Sequence, residues 1–595
     1  MTATKSQSMA GRYGPAERGA IRKAAAGRIS VALVYPHHYH VGMSSLGYQT
    51  VYRLLNDIDQ VICERVFLPE QDGGKIRRVL TVESQTPIED FDIIAFSISY
   101  ENDAPAVLSI LETAGLPLSA AQRGPTLPLV LAGGVLCFLN PEPLAPFVDA
   151  FLLGEAEGLI PRFFEVFDPS VEKRKMLLAL ARHVPGIYVP DFYHPRYHAD
   201  GTLATIETSA EVPASVRRVC VSDLDDLPTA STILTPDTTF DDTYLIEVSR
   251  GCPHGCRFCS AGYVYRPPRF RPVGLLHRQV EEGCALTDRI GLVGAAVSDL
   301  PGIRELCTKN YSRGVHFAFS SLRADALNGP LIDALKKSRT KTATIAPDAG
   351  SERMRRVINK GITEDHVLEA TENLVAAGIP NLKVYFMIGL PTETDDDVAA
   401  IVKLVKRIKH RFLKISRGRG RMGEITVSLS SFVPKPFTPF QWAAMDEVRI
   451  LKQKIKIVKT GLKKTANVRV YADVPRWAYL QGLIARGDRK VADILMLGHE
   501  NHGNWPQTFK ASAVNPHFYV YRKRDPEEYF PWDFIDHGID KAFLYGEYRR
   551  ALSGRTSAPC PADPSKCSLC GVCEGKSSPD VNRSAKGTDS DLSPP

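Results

Sequence analysis

Three cysteines stand at Cys252, Cys256 and Cys259, a Cys-x3-Cys-x2-Cys spacing within Ser249-Arg250-Gly251-Cys252-Pro253-His254-Gly255-Cys256-Arg257-Phe258-Cys259. The loop directly follows an apolar run, Tyr244 to Val248, so it is expected at the carboxyl end of a strand. A loop this compact can wrap an iron–sulfur cube. Three thiolates satisfy three irons of a four-iron cluster and leave the fourth open to a small molecule. The competing readings are a zinc loop or three buried thiols. Zinc usually takes four ligands from two separated pairs, and no partner pair lies close in the sequence.

The rest of the chain alternates short apolar runs with helical periodicity. The first series comprises Ile29 to Tyr35, Val61 to Phe67, Ile93 to Ser97, Leu129 to Ala132 and Ala150 to Leu153. Gly133-Gly134 follows the fourth run and Gly154-Glu155-Ala156-Glu157-Gly158 the fifth. Short buried strands separated by helices predict a parallel sheet covered on both faces, with ligands at the strands' carboxyl ends. Small residues there would let a flat ligand approach the backbone closely. A second series runs through Tyr244–Val248, Arg289–Val293, His316–Ser320, Thr342–Ala346, Leu382–Met387 and Glu424–Ser428. Six strand–helix units predict a partial parallel barrel whose chemistry occupies the carboxyl-end loops, where the cysteine loop falls. The fold class is therefore α/β: a Rossmann-like doubly wound parallel sheet, a partial (β/α)6 barrel and a small Cys-rich C-terminal extension.

Other strand ends carry Gly294-Ala295, Ser320-Ser321-Leu322-Arg323, the run Ala346-Pro347-Asp348-Ala349-Gly350-Ser351-Glu352-Arg353, and Met387-Ile388-Gly389-Leu390-Pro391-Thr392-Glu393-Thr394. Further along stand Phe432-Val433-Pro434-Lys435-Pro436-Phe437-Thr438-Pro439-Phe440-Gln441-Trp442 and Arg486-Gly487-Asp488-Arg489. Together with the cysteine loop these motifs resemble the radical S-adenosylmethionine (SAM) enzymes. They are similar in particular to a largely uncharacterised group in which a cobalamin-binding-like domain precedes the barrel. The resemblance covers roughly Ile29 to Leu495.

That resemblance implies a [4Fe-4S] cluster on Cys252, Cys256 and Cys259 and reductive cleavage of SAM to a 5′-deoxyadenosyl radical. It implies SAM contacts from Phe258, Gly294, Ala295, Ser320, Arg323, Asp348, Arg353, Met387 and Gly389, with Arg353 placed to pair with the SAM carboxylate. Gly133, Gly134, Gly154 and Glu155 would line a cobalamin site. Two departures stand out. No Asp-x-His-x-x-Gly supplies an axial histidine, and Asp348 stands where relatives often carry Glu. His37, His38 and His40 follow the first strand, where loop histidines are usually solvated or capping groups. The domain therefore either holds cobalamin without a protein histidine or keeps the fold without the cofactor. In the first case the expected reaction is methyl transfer to an unactivated carbon; in the second, radical rearrangement or carbon–carbon bond formation. A non-enzymatic iron–sulfur electron-transfer or scaffold protein is the competing class. The catalytic residues beyond the cofactor contacts, and the substrate, are not specified by the motifs.

With 595 residues, 44% apolar and 24% charged, the chain has ordinary globular composition. No apolar run is long enough to span a bilayer and no export signal is present, so a cytoplasmic enzyme with a reductant such as flavodoxin or ferredoxin is expected. Twelve cysteines fit metal binding in a reducing compartment. Four of them, Cys560, Cys567, Cys570 and Cys573, form Cys-x6-Cys-x2-Cys-x2-Cys, closer to a ferredoxin-like ligand set than to a zinc ribbon, and suggest a second iron–sulfur cluster. Net charge is +7. The densest basic stretch, Lys403 to Arg421, reads as a helix with one solvated face followed by a Gly/Arg loop, and nucleic acid is not the expected partner. The expected segments are a disordered tail (1–27), the cobalamin-binding-like domain (28–182), a connector (183–235), the barrel (236–465), an α/β extension (466–555), the Cys-rich motif (556–575) and a second disordered tail (576–595).

Overall fold

The computed structural model describes residues 16–69, 78–310, 314–320, 322–327, 329–417, 423–561, 563, 567 and 569–573. Residues 1–15 and 576–595 of the expected tails, 574–575 of the Cys-rich motif, Ser321, and Arg419 and Arg421 of the basic stretch lie outside the described residues.

The first domain is built on β1 (Ile29–Tyr35), β2 (Val61–Phe67), β3 (Ile93–Ser97), β4 (Leu129–Gly133), β5 (Ala150–Leu152) and β6 (Ile187–Tyr188). Their order across the sheet is β2-β1-β3-β4-β5-β6. All pairs are parallel except β5 with β6. Chain order reverses between β1 and β3, which is where doubly wound sheets open a ligand crevice. Strand β1 is almost continuously apolar because both of its faces are covered, whereas β2, at the sheet edge, is buried but interrupted by Glu64 and Arg65. The one buried cation in β2, Arg65, is paired by Glu83 at 2.6 Å and by Glu17 at 2.7 Å.

Glu17 belongs to the segment expected as a loose tail. Lys23 there donates to the carbonyls of Asn56, Ile58 and Val61, and Arg18 pairs with Leu234. Residues 16–27 are thus fastened to the first domain by charge and backbone bonds, which a search for apolar periodicity does not detect.

The connector forms a hairpin, β7 (Tyr193–Tyr197) with β8 (Leu203–Thr208), and β9 (Val216–Arg217), which pairs with β19 (Ile535–Asp536) of the C-terminal extension. The barrel opens with β10 (Tyr244–Glu247). The short pair β11 (Ser249–Arg250) and β12 (Arg269–Phe270) closes the base of the cysteine loop. Next come β13 (Arg289–Val293) and β14 (His316–Phe319), parallel in the order β10-β13-β14. A second parallel sheet holds β15 (Thr342–Asp348), β16 (Asn381–Ile388), β17 (Ile425–Ser431) and β18 (Val468–Ala472).

The six expected barrel strands are present, and β18 is a seventh that sequence reading placed in the extension. It has no apolar run because Arg469 and Tyr471 alternate out to solvent. Helices Glu364–Ala376, Asp395–Ser416 and Val448–Leu462 cover β15 to β17 through Leu374, Val398, Ile401, Val405, Leu451 and Val458. The extension is not autonomous: helix Val491–Glu500 packs on Ala104–Thr113 of the first domain. No helix among the described residues is long and apolar enough to cross a membrane.

Candidate radical SAM site

The cysteine loop is held rigidly by its non-cysteine residues. Gly251 has φ +81° and a Cβ there would meet the Tyr265 carbonyl oxygen at 2.6 Å, so only glycine turns the chain out of β11. The Tyr263 hydroxyl donates to the Gly255 carbonyl at 3.1 Å. Arg257 is buried and donates to the carbonyls of Val357 and Arg555 and to Glu547. Asn359 Nδ2 donates to the carbonyls of Gly255 and Ser557. Turn 357–360 and the C-terminal segment therefore clamp the loop from two sides.

Cys256 is buried, and Cys252 and Cys259 are half-buried. Burial pushes the Cys252 thiol up to about 12 and the Cys256 thiol up to about 11, with the charge of Lys360 opposing the rise at Cys256. Thiols in such surroundings are poor free nucleophiles, and become thiolates when a bound cation compensates the charge. Among the described residues no three His, Cys, Asp or Glu side chains close around a single metal ion.

Beside the thiols, Lys360 Nζ lies 2.5 Å from Asp348 Oδ2, and Arg323 pairs with Asp325 at 2.8 Å and donates to the Lys360 carbonyl. Burial works to lower Lys360, but Asp348 and Cys256 outweigh it and hold the ammonium charged. Sequence reading missed Lys360, because a lysine in the turn after a short helix carries no periodic signal. Asp348, expected to face SAM, is engaged by that lysine.

Other expected SAM contacts are likewise tied up within the protein. Arg353 forms an ion pair with Asp397 and donates to the Thr392 carbonyl at 2.7 Å, so it secures the start of helix Asp395–Ser416. The Ser320 hydroxyl bridges the N–H and carbonyl of Gly294, 3.1 Å from each. A Cβ on Gly294 would meet Ser249 Oγ at 2.7 Å, so this glycine permits close packing between strand ends. Gly389 N–H donates to Glu393 at 2.7 Å, while Met387 and Phe258 are half-buried against the core.

A cavity of about 660 Å³ joins the two domains. Gly133, Gly134, Gly154, Glu155, Gly294, Ala295 and Ser320 all line it, together with Arg250 and Gly251 of the cysteine loop. Phe258, Arg323, Asp348, Arg353, Met387 and Gly389 do not. From its mouth it runs inward between the sheet residues Val31, Ala95 and Leu131 and the helix residues Val51, Leu159 and Phe163. His37, His38 and His40 are not among its walls. Ser97 and Ser99 are, although sequence reading did not single them out.

Three of these wall residues also have roles within the protein. Gly134 (φ +106°) and Gly154 (φ +142°) leave no space for a ligand in place of their missing Cβ atoms; those atoms would meet Ile98 O at 2.4 Å and Val219 O at 2.3 Å. Glu155 is an internal ion-pair hub, 2.6 Å from Arg269, 3.0 Å from Arg250 and accepting from the Val221 N–H. Burial alone would raise its carboxyl, but these guanidiniums and Arg218 bring it down to about 2. Glu155 locks the first domain to the cysteine loop and the connector.

The C-terminal thiols lie against the same loop. The Cys560 N–H donates to the Pro253 carbonyl at 2.8 Å. Arg266 donates to the Gly262 carbonyl at 2.6 Å and lies within the influence of Cys560 and Cys570.

Comparison with known proteins decides the family. Residues 47–190 match the model for the N-terminal region of radical SAM proteins, and residues 246–405 match the radical SAM superfamily. An uncharacterized protein of Methanocaldococcus jannaschii, MJ0966, is 31% identical over 78% of this chain and 90% of its own length. The chain belongs to the radical SAM superfamily. It is a radical SAM enzyme, and the assignment brings a [4Fe-4S] cluster and SAM with it. The threonylcarbamoyladenosine tRNA methylthiotransferase MtaB of Treponema pallidum is 25% identical over 62% of this chain and 84% of its own. The radical SAM methyltransferase TsrM from Kitasatospora setae, solved with cobalamin and a [4Fe-4S] cluster, overlaps 82% of this chain and 100% of its own at 12% identity, with a TM-score of 0.45.

Proposed function

We propose that this radical SAM enzyme uses Cys252, Cys256 and Cys259 to hold the cluster that cleaves SAM, and that the interdomain cavity receives a corrinoid for methyl transfer to an unactivated carbon. The observation that carries the reading is the single cavity walled by both the cysteine loop and the crevice between β1 and β3. Soft, buried thiols with a lysine beside them suit a cluster of net negative charge. The apolar lining of the inward arm would suit the face of a flat ring, and His37, His38 and His40 are not among the wall residues that would hold it. When bound, the cluster supplies the electron that splits SAM into methionine and a 5′-deoxyadenosyl radical, and the corrinoid supplies a methyl group.

The protein's own part is positional. Arg257, Asn359 and Tyr263 fix the loop, while Glu155 with Arg250 and Arg269 fixes the distance between the two domains. The apolar walls keep water from the reacting radical. Methylthiolation has less support. Cys63 and Cys137 are buried singly, in β2 and in helix Val135–Leu139, so the described part of the first domain holds no set of thiols.

The same reading assigns a second iron–sulfur cluster to Cys560, Cys567, Cys570 and Cys573, with a flavodoxin or ferredoxin as the external reductant. The test is anaerobic reconstitution, followed by reduction with methyl-labelled SAM. Deoxyadenosine release and a corrinoid visible spectrum are expected. Full iron loading with no deoxyadenosine would overturn the reading, and release without any corrinoid retention would confine it to cobalamin-independent radical chemistry.

A further inference from the structure

Helices Asp395–Ser416 and Val448–Leu462 lie side by side on the outside of the barrel, close enough that a Cβ on Gly461 would meet Val402 Cγ2 at 2.8 Å. No acidic residue occurs from Val398 to Gly423, nor from Val448 to Ala472. Lys403, Lys406 and Lys414 are exposed on the first helix; Lys452, Lys456, Lys459, Lys463 and Lys464 are exposed on the second and its final turn. Among the described residues none of these eight lysines forms an ion pair. Neighbouring Arg407 and Arg411 do, with Glu364 and Glu372 of helix Glu364–Ala376 on one flank. The charge on the remaining surface is uncompensated.

A second observation extends this surface. Edge strand β18 follows the lysine-rich helix and presents Tyr471, 56% exposed, next to Arg469, which pairs with Glu424 at 2.6 Å. Trp477 is 43% exposed with the Arg476 guanidinium 5.7 Å from its ring, and its carbonyl accepts from Asn102. Tyr100, 45% exposed, stands at that seam, one residue beyond Ser99 in the cavity wall. Exposed rings thus stand beside the lysine surface, at Tyr471, and beside the cavity wall, at Trp477 and Tyr100, with Arg476 next to Trp477 and the carboxylates of Glu101, Asp103 and Asp473 acting on Tyr100.

We propose that this surface binds single-stranded nucleic acid and delivers it to the site, which makes a polynucleotide the substrate class of the reaction proposed above; the inference rests on that reading for its functional meaning. Lysines neutralise phosphates without sequence preference, while rings stack on bases, a pairing typical of single-strand binding. An anionic membrane is disfavoured because neither helix exposes a large apolar side chain that could insert.

The test uses the reconstituted full chain and fluorescence anisotropy with labelled mixed-sequence RNA or DNA of about 20 nucleotides, titrated from about 50 mM salt. Binding that weakens with salt is expected, and the stronger oligomer names the natural polymer. Replacing Lys456, Lys459, Lys463 and Lys464 with Gln lowers the log–log salt slope by about 3 if all four contact phosphates. The double substitution Tyr471→Ala and Trp477→Ala lowers affinity by about tenfold or more with the slope unchanged. Absence of binding, indifference to both rings, or equal capture of vesicles rich in anionic phospholipid would each overturn the proposal. Deoxyadenosine release without added substrate, measured on the lysine variant, reports separately on SAM cleavage and is expected to match the parent.

Discussion

The backbone N–H of Cys560 donates to the carbonyl of Pro253, 2.8 Å away, so the C-terminal thiol motif begins in contact with the loop that carries the first three thiols. Arg266 touches that loop at Gly262 and reaches Cys570. A cluster on the C-terminal set would therefore stand next to the SAM cluster. Replacing Cys567 and Cys570 with Ala is expected to remove about half of the iron bound on reconstitution, since two four-iron cubes become one. Iron analysis with electron paramagnetic resonance checks this, and an unchanged iron count sinks the second cluster.

Lys360 is the cation that acts most strongly on the Cys256 thiol, and Asp348 is its partner. Removing the ammonium leaves a carboxylate beside the cluster and disfavours the added electron. Lys360→Met is expected to lower the cluster's midpoint potential by about 60 mV or more, a tenfold change for a one-electron couple. Adding Asp348→Asn should restore most of the loss. Potentiometric titration distinguishes this electrostatic role from a purely structural one, which the second substitution would not rescue.

Glu155 titrates far below its ordinary value of 4.5, at about 2, because three guanidiniums outweigh the cost of burial. A depressed folded value means that the stabilisation is fully present above about 4.5 and is lost as pH falls toward 2. The shift corresponds to about 3 kcal/mol. Glu155→Gln is expected to cost about 3–5 kcal/mol at neutral pH, since it leaves the buried arginines unpaired. Urea unfolding at pH 7 and pH 3 should show the difference between parent and variant shrinking in acid.

Much of this architecture is legible from local pattern, and the exceptions have a common cause. Ile29–Tyr35 and Ile93–Ser97 announce themselves because both faces of a central parallel strand are apolar. Val468–Ala472 does not, because an edge strand can turn Arg469 and Tyr471 to solvent. Cys252, Cys256 and Cys259 are readable because their chemistry lies within one loop. The ion-pair role of Glu155 is not legible in the sequence because Arg218, Arg250 and Arg269 reach it from separate elements. Glu17 and Lys23 were lost in an apparent tail for the same reason: their partners are brought to them by tertiary structure.

Arg353 illustrates the consequence for the site. Its guanidinium is already shared between Asp397 and the Thr392 carbonyl. Arg353→Ala is therefore expected to change SAM affinity by less than about threefold, while lowering stability by about 1 kcal/mol through the start of helix Asp395–Ser416. Equilibrium dialysis with labelled SAM and a thermal melt separate the two effects; a loss of SAM binding of a hundredfold would restore the carboxylate-pairing role.

The inward arm of the cavity offers the sharpest separation of corrinoid binding from SAM cleavage. Ala95 lies on β3 and faces this arm, opposite the helix residues Val51 and Phe163. Ala95→Phe would place a ring in space that is open, so overpacking should cost no more than about 1–3 kcal/mol. The cysteine loop is held by Arg257, Asn359 and Tyr263, none of which touches Ala95. Corrinoid absorbance is therefore expected to fall by at least tenfold relative to the parent, together with transfer of the labelled methyl group. Deoxyadenosine release should persist, because the thiols and Lys360 are unaltered. Retention of full corrinoid absorbance would place the cofactor elsewhere, whereas loss of deoxyadenosine together with absorbance would mean that the two domains cannot be perturbed separately at this wall.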